Sequence, residues 1–308
     1  MSAADSVLLI AFGGPEKPED IRPFLQLVTA GRRIPPERIE EVAHHYEAIG
    51  GRSPLNELTF KQAKGLRRTL KREGLAQPVF VGMRNWHPFL HETLAAMKDL
   101  GHRRALGIIL SAFQTEASWQ RYIVDVLAAR RKVGPDAPEV VYGPPWFDHP
   151  RFIEAAADRA AEALARVAPE RLSGARLVFT AHSVPAAMAD GSPYVAQFTA
   201  AARAVAASLN HQRWSVAYQS RSGAPREPWL EPDIAEVLRQ LAKEEVGDVV
   251  VAPIGFVCDH VEVLYDLDVE ARRLAEKLRM RFHRAEAVND HPAFVEMLAD
   301  LARAGLGK

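Results

Sequence analysis

The feature that most constrains the fold is a regular alternation of short apolar runs with longer helical patterns. Stretches such as residues 152–168, 236–244 and 269–279 carry apolar side chains at the helical spacing i, i+3, i+4 and i+7. Strands that are apolar on both faces and separated by helices predict parallel sheets covered by helices on each side. In such doubly wound folds, ligands bind at the carboxyl ends of the strands. The apolar runs are residues 7–12, 78–83, 106–113, 140–143, 176–181, 214–220, 248–256 and 281–286.

The two halves of the chain repeat one pattern. VLLIAFGGP, PVFVGMRNWHP and LGIILSAFQTEAS follow one another in the first half, and RLVFTAHSVP, WSVAYQSRSGAP and VVVAPIGFVCDHVE do so in the second. Each segment is a strand followed by small residues and a polar loop. We therefore expect an α/β protein of two similar lobes, each a four-stranded parallel sheet flanked by helices. The proline-rich GPPWFDHP segment predicts a division into residues 1–148 and 149–308, and the last helix could pack back on the first lobe.

Composition excludes several classes of protein. The chain of 308 residues carries 39 basic and 39 acidic side chains, so no basic surplus favours nucleic-acid binding. The single cysteine, Cys258, can form neither an internal disulfide nor a four-thiolate iron–sulfur site. No run approaches the roughly 18 apolar residues of a membrane span, and the N-terminus lacks the basic region of a signal peptide. The sequence predicts a soluble, cytoplasmic protein without an integral membrane segment.

Two loops that follow predicted strands carry side chains suited to chemistry. FTAHSVP places His182 just past the fifth strand, and GFVCDHVEVLYDLDVE follows the seventh strand. Glu262, Asp266 and Glu270 recur every fourth residue in the second loop, which predicts one helical face with three carboxylates. Like charges at this spacing cost an isolated helix about 0.2–0.5 kcal/mol per pair. The row could handle a cation, or it could be a solvated helix start where acidic side chains favour the helix dipole.

The loops also resemble a known family. AFGGPEKPEDIRPFL, HYEAIGGRSPLN, VGMRNWHPF, FTAHSVP, SRSGAPREPWLEPDI and GFVCDHVEVLYDLDVEA are similar, in this order, to the motifs of the ferrochelatase family. The resemblance runs from about residue 7 to residue 295. It implies two Rossmann-like lobes with a porphyrin cleft between them, and insertion of Fe²⁺ into a porphyrin with release of two protons. Iron is then a substrate, no bound cofactor is needed, and we expect a monomer.

By matching motifs, the resemblance assigns His182 as the catalytic histidine and Glu262 as its partner carboxylate. A neutral imidazole can accept a proton or bind Fe²⁺ near pH 7, and a carboxylate offers an anionic ligand and a second proton acceptor. Which of the two side chains binds iron and which takes protons stays open. Asp266 and Glu270 are then an outer relay that leads cations in or protons out.

The resemblance also transfers porphyrin-binding positions, with departures. Phe12 stands where many bacterial relatives carry a tyrosine that can approach the iron, and phenylalanine has no ligating atom. Relatives often have arginine at the positions of His45 and Thr29, so this chain lacks two basic groups expected to hold propionates; Arg32 and Arg33 lie nearby and could substitute. The predicted porphyrin-binding residues are Phe12, Thr29, His45, Tyr46, Ser53 and Tyr122.

The identity of the tetrapyrrole is the least constrained expectation. Membrane-associated family members that act on protoporphyrin IX have an apolar lip, whereas the corresponding segment here, residues 29–41, is rich in charged side chains. Burying such charges in a membrane costs several kcal/mol, so we favour coproporphyrin III, which has four propionates. The alternatives are protoporphyrin IX, a sirohydrochlorin chelatase for cobalt or nickel, and a tetrapyrrole-binding protein without turnover. Sirohydrochlorin carries eight carboxylates and the chain shows no matching basic cluster, while a carrier needs no proton acceptor.

Overall fold

A computed structural model describes residues 3–31, 34–222 and 227–307. Within these residues every predicted apolar run contributes a strand, and all strands pair in parallel. Residues 110–113 and 253–256, which we expected to continue two of the strands, leave the sheets as loops. The strands are β1 (Ser6–Ala11), β2 (Val79–Met83), β3 (Arg104–Ile109), β4 (Glu139–Tyr142), β5 (Arg176–His182), β6 (Trp214–Gln219), β7 (Asp248–Ala252) and β8 (Arg281–Arg284).

Helices connect the strands throughout the described residues. No helix in this part of the chain is long and apolar enough to span a membrane. Two short π-helical segments, Glu116–Gln120 and Asp266–Ala271, precede α5 and α11, and a 3₁₀ turn spans Pro169–Gly174. The α-helices are α1 (Pro18–Thr29), α2 (Pro36–Ala48), α3 (Leu55–Arg72), α4 (Leu90–Asp99), α5 (Arg121–Val133), α6 (Pro150–Leu164), α7 (Ala186–Asp190), α8 (Tyr194–Ser208), α9 (Ile234–Lys243), α10 (Val261–Leu264), α11 (Arg272–Lys277) and α12 (Pro292–Gly305).

The first compact unit comprises Met1–Ser111, Ala117–Pro145 and Asp290–Lys308. Its sheet has the order β2-β1-β3-β4. Leu8 and Ile10 of β1 are fully buried in a cluster with α4 and α5. Leu106 of β3 points to the opposite face against α12, where a Cβ added at Gly305 would lie 2.5 Å from the Leu106 side chain. The glycine permits this approach, and the sheet is covered on both faces.

The second compact unit comprises Ala112–Glu116 and Trp146–Asn289, and its sheet has the order β6-β5-β7-β8. Val178, Val249 and Val251 bury one face against α9, α11 and the second π-helical segment. Helices α6 and α8 contact β7 and β6. Both sheets therefore have the same strand order, as the repeated sequence pattern predicts. In this order β5 lies between β6 and β7, so the loops that follow these three strands meet at one edge of the sheet.

Candidate active site

His182 is the last residue of β5, and main-chain hydrogen bonds fix its position. The Tyr194 hydroxyl donates to the His182 carbonyl at 2.8 Å, and the Ser183 N–H donates to the Gln219 carbonyl at 2.7 Å. The imidazole Nδ1 of His182 hydrogen-bonds the Ser183 carbonyl, so Nδ1 carries a proton. This leaves Nε2 as the nitrogen that can hold a proton or a metal ion.

Glu262 supplies the partner of that nitrogen. It lies in α10, where the His260 side chain caps the helix because its Nδ1 accepts the Glu262 N–H at 3.2 Å. His182 Nε2 and Glu262 Oε1 are 3.4 Å apart, and the side chains are 29% and 38% exposed. The two predicted catalytic residues, distant in the sequence, are therefore brought together where a ligand can reach them.

Each member of this pair stabilises the charged form of the other. Burial by itself lowers the pKa of the His182 imidazole, but the adjacent Glu262 carboxylate and the Ser183 carbonyl outweigh it and raise the pKa above its usual value. Burial likewise raises the pKa of Glu262, yet His182 and His260 hold that pKa well below its usual range. The pair thus combines an anionic oxygen with an imidazole that holds its proton more tightly than a free one.

The three members of the acidic row do not share one α-helix. Glu262 is in α10, but Asp266 and Glu270 lie in the π-helical segment Asp266–Ala271, so the row passes from one kind of helix into another. π-Helical turns insert an extra residue into a helix and occur frequently at functional sites. Asp266 accepts a hydrogen bond from the Ser220 hydroxyl, whereas Glu270 is exposed. Burial, together with the Glu262 and Glu270 charges, raises the pKa of Asp266 to about 7.

Three contacts of this site were not singled out from the sequence. They are made by Tyr194, Gln219 and Ser220. Gln219 and Ser220 end a predicted strand, and strand ends of a parallel sheet converge, so that rule could have identified them. Tyr194 begins a helix, and no sequence signal distinguishes it from a core aromatic residue.

Three of the predicted porphyrin-binding residues are linked through aromatic contacts in the first unit. Phe12 follows β1 and is 38% exposed. The Arg84 guanidinium lies 5.6 Å from the ring centroid of Phe12 and 4.4 Å from that of Tyr122. Phe24 packs edge-on against Phe12 and Tyr46, with ring centroids 6.5 and 6.1 Å apart. The structure therefore groups Phe12, Tyr46 and Tyr122 around Arg84 and Phe24.

The other three predicted porphyrin-binding residues have varied surroundings. Ser53 is buried, and its N–H donates to the Pro15 carbonyl at 2.8 Å. His45 lies in α2, where burial and then Arg38 lower its pKa. Thr29 ends α1 and its hydroxyl donates to the Leu25 carbonyl at 2.7 Å. Arg32 and Arg33, the suggested substitutes for the missing propionate contacts, lie outside the described residues.

The donor set limits what the site can hold. Among the residues that the structure describes, no three His, Cys, Asp or Glu side chains cluster at the spacing of metal ligands. Within these residues, His182 Nε2 and Glu262 Oε1 offer a cation one nitrogen and one oxygen donor that face each other. Such a pair suits an ion that is passed on to another ligand.

Sequence comparisons identify the family of this chain. The family model described as Ferrochelatase matches residues 4–306. The chain is 46% identical over 303 residues to a protein of Mycobacterium avium named coproporphyrin III ferrochelatase, covering 96% of this chain and 87% of that one. Proteins of the same name are 45% identical in Nocardia farcinica and 43% identical in Mycolicibacterium smegmatis, covering 98% and 96% of this chain and 88% of each relative.

Solved structures share the fold at low sequence identity. The sirohydrochlorin chelatase SirB of Bacillus subtilis subspecies spizizenii, in complex with cobalt, superposes with a TM-score of 0.58 at 13% identity. The match covers 98% of this chain and 95% of that one. A multi-domain protein of Deinococcus radiodurans with structural similarity to chelatases gives a TM-score of 0.56 at 15% identity, and this chain spans 55% of its length. These likenesses establish a chelatase-like fold.

Proposed function

Because the chain belongs to the ferrochelatase family, we propose that it inserts Fe²⁺ into coproporphyrin III, with release of two pyrrole protons, in haem biosynthesis. The observation that carries the proposal is the His182–Glu262 pair, whose facing atoms are 3.4 Å apart and partly exposed. The choice of coproporphyrin III is supported by relatives of that name at 43–46% identity.

In this reaction Fe²⁺ exchanges its water ligands for pyrrole nitrogens, and the chemistry of the site allows this exchange. Fe²⁺ must shed water and bind pyrrole nitrogens, and coordination by the two donors of the His182–Glu262 pair leaves positions of the ion free for that exchange. His182 must lose its Nε2 proton to ligate the ion, and the positive charge of Fe²⁺ favours this loss. Glu262, which is held anionic, then balances the charge of the arriving cation.

We assign the proton-handling role in part to Asp266. A group that accepts and releases protons works best when its pKa lies near the working pH, and the pKa of Asp266 is raised to about 7. Exposed Glu270 continues the row toward solvent. Asp266 and Glu270 then form the outer relay, and His182 and Glu262 form the inner site.

We also propose the porphyrin-binding residues, and their exposure and contacts support this role. The Phe12 ring, 38% exposed, can pack against a flat, apolar macrocycle. Tyr122 is buried and supports this ring through Arg84, whose guanidinium lies near both ring centroids. Arg84 is itself held by Asp125 at 2.6 Å and its side chain is only 9% exposed. We propose that the carboxylates of coproporphyrin III lie near His45, Ser53 and Thr29.

A metallation assay tests the substrate and the reaction together. Purified protein is mixed anaerobically, without detergent, with Fe²⁺ and either coproporphyrin III or protoporphyrin IX, and absorbance follows product formation. A parallel reaction contains sirohydrochlorin with Co²⁺ or Ni²⁺. We expect kcat/KM to be at least tenfold higher for coproporphyrin III. A tenfold preference for protoporphyrin IX would refute the substrate. Tight porphyrin binding without turnover would indicate a carrier, and turnover only of sirohydrochlorin with Co²⁺ or Ni²⁺ would indicate the other chelatase class.

A further inference from the structure

Gln219 connects the two halves of the candidate active site. It ends β6, and its Cα is the direct register partner of His182 in β5. Its carbonyl accepts the Ser183 N–H at 2.7 Å, and its side-chain Nε2 donates to the Glu262 carbonyl at 2.6 Å. One residue is therefore bonded both to the strand end that carries His182 and to the main chain of Glu262.

The hydrogen bond from the Gln219 side chain gives the Glu262 carbonyl a partner from outside its short helix. Helix α10 has only four residues, Val261–Leu264, and the last carbonyls of a helix lack partners within it. The chain then passes into the π-helical segment that begins at Asp266. A donor from outside the helix at Glu262 therefore fixes the orientation of the turn that carries this carboxylate.

The buried amide of Gln219 is not explained by stability alone. The side chain is 1% exposed, and within the described residues its Oε1 has no hydrogen-bond partner. An unpartnered buried oxygen is unfavourable, and an apolar side chain of similar size would avoid that cost. The amide is thus present for its N–H donor.

Ser220, the residue after Gln219, makes a similar contact with another member of the acidic row. Ser220, with φ of 63°, directs its hydroxyl to the Asp266 carboxylate. A non-glycine residue in this left-handed region is uncommon and is found where surrounding contacts hold it. Consecutive residues at the end of β6 therefore hold two consecutive members of the acidic row.

We infer that Gln219 is a positioning residue for metal insertion, which sets the Glu262 carboxylate opposite His182 through its bonds to Ser183 and Glu262. The inference rests on the proposed function for its kinetic consequences and on geometry alone for its structural ones. Gln219 touches neither iron nor porphyrin; it acts through Glu262. Its loss should therefore impair the handling of Fe²⁺ and leave porphyrin binding intact.

The test is Gln219→Met, which keeps the length of the side chain and removes the donor. We expect kcat/KM for Fe²⁺ to fall at least tenfold, while the dissociation constant for coproporphyrin III, measured by fluorescence, stays within twofold. Thr180→Val is the matched control, because Thr180 is fully buried in β5 two residues before His182 and its hydroxyl has no hydrogen-bond partner among the described residues. This control should change every parameter less than twofold. Unchanged iron kinetics in Gln219→Met, or equal losses for iron and porphyrin, overturn the inference.

A crystal structure of Gln219→Met separates this inference from the proposed function. The His182 Nε2 to Glu262 Oε1 distance, 3.4 Å in the wild type, should lengthen by about 1 Å or more. An unchanged distance refutes the positioning role even if iron insertion is confirmed. A lengthened distance in a protein that inserts no iron refutes the function and keeps the role. Should Gln219→Met fail to fold, Gln219→Asn, which withdraws the amide by one carbon–carbon bond, should show the same pattern.

Discussion

Replacing Asp266 by asparagine should make the protein more stable at alkaline pH than the wild type. Burial is the main cause of the raised pKa of Asp266, about 7 in place of 3.8, and the charges of Glu262 and Glu270 add to it. Between about pH 4 and pH 7 the folded protein keeps a proton on Asp266 that the unfolded chain has released. The folded state then binds more protons, so the free energy of unfolding declines as pH rises through this window. The asparagine side chain of the variant does not titrate, and the Ser220 hydroxyl can still donate to its amide oxygen.

The size of the effect follows from the two pKa values. At about 1.4 kcal/mol per pH unit, the difference between 3.8 and about 7 sets an upper limit of about 4 kcal/mol. Asp266 is partly exposed, so solvent screening reduces this, and we expect about 2 kcal/mol.

Urea unfolding of both proteins at pH 4.5 and pH 8, followed by circular dichroism, measures the change. The Asp266→Asn variant should gain about 2 kcal/mol relative to the wild type between the two pH values. Glu270→Gln, which removes one charge that raises the pKa of Asp266 but leaves Asp266 buried, is the control and should keep most of the wild-type decline in stability between the two pH values. Parallel pH curves for Asp266→Asn and the wild type, within about 0.5 kcal/mol, would show that Asp266 is already ionised at pH 4.5 in the folded protein.

Three further predictions concern the inner site and the strand beside it. His182→Ala should reduce anaerobic iron insertion to less than a tenth of wild-type turnover, while the porphyrin dissociation constant, measured by fluorescence, stays within about tenfold. Turnover above a tenth of the wild-type value would contradict the role of His182 as ligand or base. Glu262→Gln should lower kcat by about 10²-fold or more, and Glu270→Gln should mainly raise the apparent KM for Fe²⁺; equal losses at the two positions would contradict the division into inner site and outer relay. Gly255→Ala would place a Cβ 2.5 Å from the Cα of Ala181, the residue before His182. This variant should be destabilised by about 1–3 kcal/mol in urea unfolding. Unchanged stability would show that the loop that carries Gly255 can move away at little cost.

The sheets were predictable because their strands are apolar on both faces. All six residues of β1 and all five of β7 are buried, and such continuous runs between amphipathic helices favour a parallel sheet. Strand ends were less certain. Residues 110–113 and 253–256 continue apolar stretches, yet they are loop residues that bury their side chains outside the sheet, and hydrophobicity alone does not distinguish the two situations.

The sequence predicts which residues form the site better than it predicts how they are arranged. His182 and Glu262 follow neighbouring strands of one sheet, and the family motifs identify both. The π-helical turn at Asp266 was not predictable from spacing, because acidic residues four apart fall near one face of either kind of helix. The role of Gln219 was hidden for another reason. A polar residue at a strand end usually faces solvent, whereas this one is buried and bonded to residues distant in sequence.

The strand order explains why this sheet can build the site at all. From β5 the chain first adds β6 on one side and then β7 on the other, so the connections at the carboxyl ends of β5 and β7 lead away from each other. This point of reversal leaves a crevice at the strand ends, where ligands bind in doubly wound sheets. His182 ends β5, and Glu262 lies in the segment that follows β7, so the pair spans that crevice. The first sheet has the same order, with its reversal between β1 and β3, and Phe12 directly follows β1. The repeated topology thus places a candidate ligand-binding side chain at the equivalent position of each unit.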